Sequence, residues 1–472
     1  MGRLPGVQEG ENKTMTKLKL MLAICAARLV RLLSRLLHRG GTDMPGRVAL
    51  KLCPELLALL ARDVKSVAIT GTNGKTSSAR MIEEAFREAK LDCLANRSGA
   101  NLISGVTTEF IMNADWLGRP RKEYAVIECD EAAAKKVFPQ LRPRVVLVTN
   151  LFRDQLDRYG EVTHTLGNIR EAMRGAPDAL LCLNADCSLT ASLAQELPNE
   201  LRWYGVNRGA VPSRGKSALS DATHCIRCQC EYDYDYITYG HLGGFRCPRC
   251  GYRRAEPQIA VTELVEQSAD GSTVVMEFFG QRRVVRVNLP ALYNVYNAAG
   301  ALAAATGMGL APDVVIEALG RFQCGFGRME QFPLGRAGSR MMLVKNPAGC
   351  NQVLEFLESI SEPFVLVACL NDRAADGTDV SWVWDADFEI LGRLGSRLRR
   401  VIVSGDRAAD LSVRMKYAGV PAARVELEKD YAALVKSLED EENPIFLMPT
   451  YTAMLELRQE IVHRVGGTEF WE

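Results

Sequence analysis

The sequence predicts an α/β protein: a doubly wound, mostly parallel sheet with a small cysteine-bearing insertion, followed by a second α/β unit. Three observations predict it. Short β-branched runs alternate with helical patterns along most of the chain. A glycine-rich turn joins the first of these runs to a helix, the opening of a parallel unit. Two close-spaced pairs of cysteines, with Cys230 beside the first, break the alternation within residues 218–258. The 472 residues suffice for two or three domains. A formal net charge of +1 gives no electrostatic case for a nucleic-acid partner.

The N-terminal region stands apart. Residues 1–16 are polar, and Leu18 to Leu37 are apolar but punctuated by Arg28, Arg31 and Arg35. At that spacing a helix carries the arginines as one stripe. The unbroken apolar run, Leu20–Ala27, is too short to span a bilayer. Three readings stay open: a basic amphipathic helix on the inner face of a membrane, a helix packed on the protein's own body, and a signal peptide behind Lys17 and Lys19.

Lys65–Thr70 reads as the first strand, and Ser77–Lys90 as the helix after it. Tyr124–Glu128, Arg144–Thr149 and Ala179–Asn184 read as further buried strands. Residues 256–290 alternate like an antiparallel meander, and Tyr293–Gly307 is an alanine-rich helix. A glycine-rich hinge over Gly320–Gly327 leads to a second set of strands, Phe364–Ala368, Arg400–Ser404 and Pro444–Met448.

The strongest chemical signal is Gly71-Thr72-Asn73-Gly74-Lys75-Thr76, between a strand and a helix. Glycines let backbone N–H groups approach phosphate oxygens, and the helix start adds a positive dipole end. Lys75 supplies a charge for the outer phosphates, and Thr76 a hydroxyl for Mg²⁺. The turn therefore points to a bound phosphate chain, although the generic nucleotide motif, which has a glycine where Ile69 stands, is not met. Cys225-Ile-Arg-Cys228 and Cys247-Pro-Arg-Cys250 form two knuckles 18 residues apart, the spacing of a structural four-thiolate Zn²⁺ site; a redox pair is the alternative. Gly243, Gly244 and Gly251 suit tight knuckle turns. Tyr232, Tyr234, Tyr236 and Tyr239 read as ribbon packing.

The phosphate turn resembles the short variant found in Mur ligases and folylpolyglutamate synthases. Further segments resemble Mur ligases. Thr149-Asn-Leu-Phe-Arg-Asp-Gln-Leu-Asp157 has Gln155 where the family has a metal-contacting His, and Glu128 falls where the family holds a second Mg²⁺. Tyr293-Asn-Val-Tyr-Asn297 implies that Asn294 and Asn297 lie near the adenine, and Gly327-Arg-Met-Glu330 implies that Arg328 reaches the nucleotide. Asn96–Asn101 and Lys345–Gly349 imply substrate contacts by Arg97, Asn101, Lys345 and Asn346. Only about 65 residues precede the turn, so the UDP-binding N-terminal domain of other Mur ligases has no expected counterpart.

Asn371–Glu389, and the ribbon itself, resemble the MurT-type branch of that family. The resemblance implies a Mur-ligase-type central ATPase domain over 46–327 with a zinc-ribbon insertion at 218–258. It adds a C-terminal MurT-type, Rossmann-like α/β domain over 328–472 and an extension over 1–45. It implies ATP-dependent amidation of the D-glutamate α-carboxyl in lipid II, with ammonia from a GatD-like glutaminase in a heterodimer. ATP, Mg²⁺ and structural Zn²⁺ are the expected cofactors, with Lys75 and Glu128 at the reacting phosphates. Asp385, among the candidates Asp376, Asp379, Asp385 and Asp387, is expected to complete the glutaminase triad. The expected location is the cytoplasm, peripheral at the inner membrane face. A stand-alone amino-acid ligase and a non-catalytic scaffold remain as alternatives.

Overall fold

A computed structural model describes residues 5–36, 41–96, 100–153, 162–213, 221–323 and 327–466, with side chains from residue 17 onward. Two sheets organise it. The first contains β1 (Lys65–Thr70), β2 (Cys93–Ala95), β3 (Tyr124–Glu128), β4 (Val145–Val148), β5 (Leu180–Asn184) and β6 (Leu201–Val206). A separate hairpin, β7 (Asp233–Tyr239) and β8 (Leu242–Arg246), forms the ribbon. The first sheet then resumes with β9 (Ile259–Gln267), β10 (Ser272–Phe278) and β11 (Gln281–Val287).

The strand order is β11-β10-β9-β6-β5-β4-β1-β3-β2. Pairing is parallel from β2 through β9, and antiparallel only at the β9–β10–β11 end. The central strands read as continuous apolar runs because helices cover both faces; Val145–Val148 and Val67–Ile69 are fully buried. The expected meander is there, and its first strand also pairs in parallel with β6.

The second sheet contains β12 (Arg328–Phe332), β13 (Ser339–Met342), β14 (Phe364–Cys369), β15 (Leu398–Ser404), β16 (Val425–Leu427) and β17 (Ile445–Pro449), in the order β12-β13-β17-β14-β15-β16. It is parallel except for the β12–β13 hairpin.

The N-terminal helices are α1 (Pro5–Leu36), α2 (Met44–Leu52) and α3 (Leu56–Ala61); α4 (Lys75–Glu88), α5 (Ile103–Met112) and α6 (Ala134–Leu141) follow within the first sheet's crossovers. Helix α1 packs on α2 and α5 through Leu20, Ala23, Ile24 and Ala27, all buried. Small residues permit the close crossing: a Cβ on Gly46 of α2 would stand 1.9 Å from the Ser104 carbonyl oxygen of α5. Two of the three stripe arginines, Arg28 and Arg31, are partly buried against the body, while Arg35 is exposed. Arg28 donates to the Ala114 carbonyl at 2.5 Å and lies 4.2 Å over the Trp116 ring. Burial lowers the Arg31 guanidinium's affinity for its proton, opposed by the nearby Glu109 carboxylate. Arg28 and Arg31 face the loop and helix end because these offer carbonyls and a carboxylate. No described helix is long and apolar enough to cross a membrane.

Candidate ATP and zinc sites

The phosphate turn follows β1 at the carboxyl end of the parallel sheet, where loops of α/β proteins gather ligands. Gly71 and Gly74 have φ of +119° and +86°. Both positions exclude a side chain: a Cβ on Gly71 would meet Thr149 Oγ1 at 2.4 Å, and one on Gly74 would meet Asn297 Oδ1 at 2.1 Å. Asn150 holds the turn from the neighbouring strand end. Its side-chain oxygen accepts from the Asn73 N–H at 3.1 Å, its amide donates to the Asn73 carbonyl at 3.1 Å, and its own carbonyl accepts from the Thr72 N–H. Thr72 bonds the Phe152 backbone on the same loop.

Lys75 is buried and donates to the Glu131 carboxylate at 2.6 Å and to the Gly71 carbonyl. Burial raises the Glu131 carboxyl above its ordinary value, while Lys75, and further off Lys345, pull it down. Glu131 was not among the expected residues. The acidic run Glu128, Asp130, Glu131 just past β3 was the available signal, and Asp130 proves to serve the N–H groups of Ala132 and Ala133 instead.

The Thr76 hydroxyl donates to Glu128 at 2.7 Å. Asn96 fixes Glu128 by a reciprocal pair, accepting from its N–H at 2.9 Å and donating to its carbonyl at 2.7 Å. A hydroxyl and a carboxylate side by side beneath a phosphate turn form a hard-oxygen donor set that suits Mg²⁺.

Asn294 and Asn297 sit on the helix Leu292–Gly307 and line a cleft with Asn73, Gly74 and Arg328. Asn297 donates to Asn294, which donates to the Pro290 carbonyl at 2.7 Å. The Asn346 amide reaches Asn73 at 3.1 Å, and the Asn346 oxygen accepts from Gly349 N–H, capping the helix Pro347–Ser359. Lys345 is half-buried, within electrostatic reach of Glu131. The Asn101 carbonyl accepts from the Asp130 N–H, beside the same cluster. Arg97 and Gln155 lie outside the described residues.

A cavity of about 490 Å³ adjoins this cleft; Tyr239, Ala348 and Gln352 border both. Asp385 and Asp387 line its outer side. Asp385 accepts from Arg153 at 2.7 Å, and the Arg153 N–H donates to Asp221. Asp376 is buried and takes both bonds from Thr452, a structural role. Asp379 accepts from the Ser381 N–H at the start of a short turn.

The four expected thiols gather: the Sγ atoms of Cys225, Cys228, Cys247 and Cys250 all lie within 4.8 Å of one another. A tetrahedral zinc–thiolate centre requires sulfurs about 3.8 Å apart, so the set fits Zn²⁺. The two knuckles share one backbone pattern. Cys225 N–H donates to the Cys230 carbonyl and Cys247 N–H to that of Tyr252, while Gln229 and Gly251 donate back to the first cysteine of each pair. Burial pushes the Cys247 thiol up, but hydrogen bonds from the backbone of Cys250 and Arg249 and from neighbouring thiols bring it to about 6. Only Gly251 serves a knuckle, at φ +73°; the other uses Gln229 at +58°. Gly243 and Gly244 instead let β8 approach Tyr236, where any Cβ would clash.

The tyrosines fasten the ribbon. Tyr236 donates to the Val206 carbonyl at 2.7 Å, Tyr252 to that of Ser188 at 2.7 Å, and Tyr239 stacks on Phe152. Beneath them Asp186, fully buried, accepts from Arg254 and from Tyr296 at 2.6 Å each. Burial raises its carboxyl, and Arg254 opposes the rise.

Comparison with known proteins agrees with this geometry. A sequence model of the Mur ligase middle domain matches residues 69–231, and one of the MurT ligase C-terminal region matches residues 343–454. A Streptococcus pneumoniae protein named lipid II isoglutaminyl synthase (glutamine-hydrolyzing) subunit MurT is 32% identical over 448 residues, covering 95% of this chain and 98% of the relative. The chain belongs to the MurT family. A Staphylococcus aureus MurT subunit of the same name is 32% identical over 447 residues, covering 94% of this chain and 98% of its own. Solved structures with the same fold include a pseudomurein peptide ligase type C from Methanothermus fervidus (TM-score 0.64, 19% identity, covering 87% of this chain and 81% of that one). MurF from Acinetobacter baumannii is another (TM-score 0.65, 15% identity, 89% and 81%). Mur ligases use ATP and Mg²⁺, which the oxygen and lysine set above accommodates.

Proposed function

We propose that the protein is the synthetase subunit of a two-chain amidotransferase that converts the α-carboxyl of D-glutamate in lipid II to its amide. Ammonia comes from a GatD-like glutaminase partner, and the work is done at the inner face of the plasma membrane. The observation that carries this is the phosphate turn: Lys75 and the Thr76–Glu128 pair meet at one strand end, beneath a C-terminal unit that reaches the turn through Asn346. The names of relatives aligned over nearly the whole chain supply the substrate and the subunit character. The working division is a catalytic body over 46–327, the ribbon insertion within it, and a C-terminal unit over 328–472.

Gly71–Thr76 would hold the phosphates by backbone N–H groups, with Lys75 exchanging Glu131 for the terminal phosphate. Thr76 and Glu128 would hold Mg²⁺, which when bound neutralises phosphate charge. Asn294, Asn297 and Arg328 would face the nucleoside. The substrate carboxylate takes the terminal phosphoryl group and ADP leaves. Ammonia then attacks the acyl carbon, phosphate leaves, and the spare proton passes to solvent or a nearby carboxylate. Asn101, Lys345 and Asn346 would face the carboxylate and its phosphoryl group. Asp385 would orient the partner's imidazole, and the cavity behind it would pass ammonia toward Tyr239 and the cleft.

The test is glutamine-dependent amidation of lipid II by the chain co-purified with its glutaminase, read by mass spectrometry and ADP release. Release of ADP with an added amino acid and without the partner would instead mark a stand-alone ligase.

A further inference from the structure

Helix α1 is apolar on both sides, yet only one side is covered. Ala23, Ile24 and Ala27 are buried against α2 and α5. On the opposite side Leu18, Leu22, Cys25, Leu29, Leu32 and Leu36 are exposed, the leucines each by 56% or more. Their spacing alternates four and three residues, so they form one continuous stripe along the helix. From Leu18 to Leu36 the stripe is about 27 Å long. A helix apolar all round is ordinarily buried all round.

Charge identifies the cover. Residues 13–52 hold nine Lys or Arg and one acidic residue, Asp43, whereas the whole chain is only +1. The excess positive charge of the protein is therefore concentrated around this stripe, and the remainder is net acidic. Residues 17–36, which carry the stripe, hold five Lys or Arg and no acidic residue, so a second copy of this stretch would bring cation against cation. Anionic phospholipid headgroups supply the missing charge, and their acyl region the missing apolar contact. Beside α1 stands Trp116, 55% exposed under Arg28, a side chain suited to the headgroup level.

We infer that the outward leucine face of α1 is a docking surface for an anionic lipid bilayer, on which the helix lies flat. This deepens the peripheral location proposed above by assigning it a face, and the stripe and charge carry it without the ligase reading. Arg28 and Arg31 anchor α1 to the body, so the whole molecule is carried to the surface.

The purified full chain should co-sediment with phosphatidylcholine vesicles containing about a third phosphatidylglycerol, and far less with phosphatidylcholine alone. L22E/L29E, which alters only exposed side chains, should lower the bound fraction about ten-fold or more. On the unaltered chain, vesicles should shift Trp emission to the blue, a shift reduced in Trp116→Phe. Nucleotide-induced thermal stabilisation of L22E/L29E should stay unchanged, as should amidation of detergent-solubilised substrate. Absence of vesicle binding, or binding insensitive to the leucine substitutions, overturns the inference. So does a dimer in sedimentation velocity that L22E/L29E dissolves, which would give the face to a second copy. Loss of amidation with vesicle binding intact would count against the ligase reading alone.

Discussion

Arg153 and Asp385, 232 positions apart in the chain, share a hydrogen-bonded ion pair of 2.7 Å that joins the loop after β4 to the C-terminal unit. Arg153 lies three residues beyond Asn150, the residue that holds the phosphate turn. The pair thus connects the proposed glutaminase-facing aspartate to the nucleotide loop. Each side chain is about one-third exposed, so the pair contributes at most ~1 kcal/mol to stability. Asp385→Asn should abolish glutamine-driven amidation and spare amidation driven by free ammonium. Arg153→Ala should lower the glutamine-driven rate several-fold more than the ammonium-driven one. Equal losses on both nitrogen sources would refute the coupling.

Glu128 accepts from Thr76 and is itself fixed by Asn96. Glu128→Gln keeps the shape and removes the charge. The Mg²⁺ concentration for half-maximal ADP release should rise about ten-fold or more, and Asn96→Ala should produce a weaker form of the same defect. A magnesium titration of ADP release checks both.

The ribbon's thiols and tyrosines lead to a prediction about zinc. Cys228→Ser should eliminate stoichiometric zinc from the purified chain and lower its melting temperature. Because Tyr239 and Phe152 stack between the ribbon and the nucleotide loop, it should also weaken nucleotide binding. Metal analysis with nucleotide titration would read both effects. Nucleotide affinity unaltered by zinc loss would isolate the ribbon from the site.

Arg254 provides the only charge partner that Asp186 has among the described ion pairs. Arg254→Leu should cost about 3–5 kcal/mol, since it leaves a buried carboxylate without its cation. Asp186→Asn added to it should recover part of that loss. Denaturant melts of the single and double variants measure both.

His241 is fully enclosed, and burial lowers its pKa to about 3. Its unfolded value is about 6.5. Between these values the unfolded chain binds the extra proton and the folded chain does not. Stability therefore holds above about pH 6.5 and falls as pH drops, by about 1.4 kcal/mol per unit. Moving from pH 7 to pH 5 should cost about 2 kcal/mol from this residue, and His241→Gln should lack that increment. Urea melts at the two pH values decide it.

Much of this was legible before any coordinates. The strand, turn and helix around residues 65–88 and the pairing of the four thiols follow from local spacing, which the chain states outright. Other parts depend on partners distant in sequence. Strand β2 has three residues, and β12 and β13 are defined by pairing with each other rather than by pattern. Glu131 and Asn150 gain meaning only where β3 and β4 flank β1. The face of α1 was legible as periodicity, but arginines and leucines recur at the same helical interval. Only the packing of Ala23 and Ala27 on α2 and α5 reveals which row turns outward.

Asn346 does two jobs with one side chain: its oxygen caps its own helix, and its amide meets Asn73. The cap lies entirely within the C-terminal unit, so the helix end does not depend on the contact with Asn73. The Asn73 amide also reaches back to the Asn346 oxygen at 3.5 Å, so the contact is reciprocal, and each of its hydrogen bonds is worth about 1 kcal/mol net against water. Making and breaking this contact are thus nearly balanced in free energy, so it sets the register of the two units without locking them together.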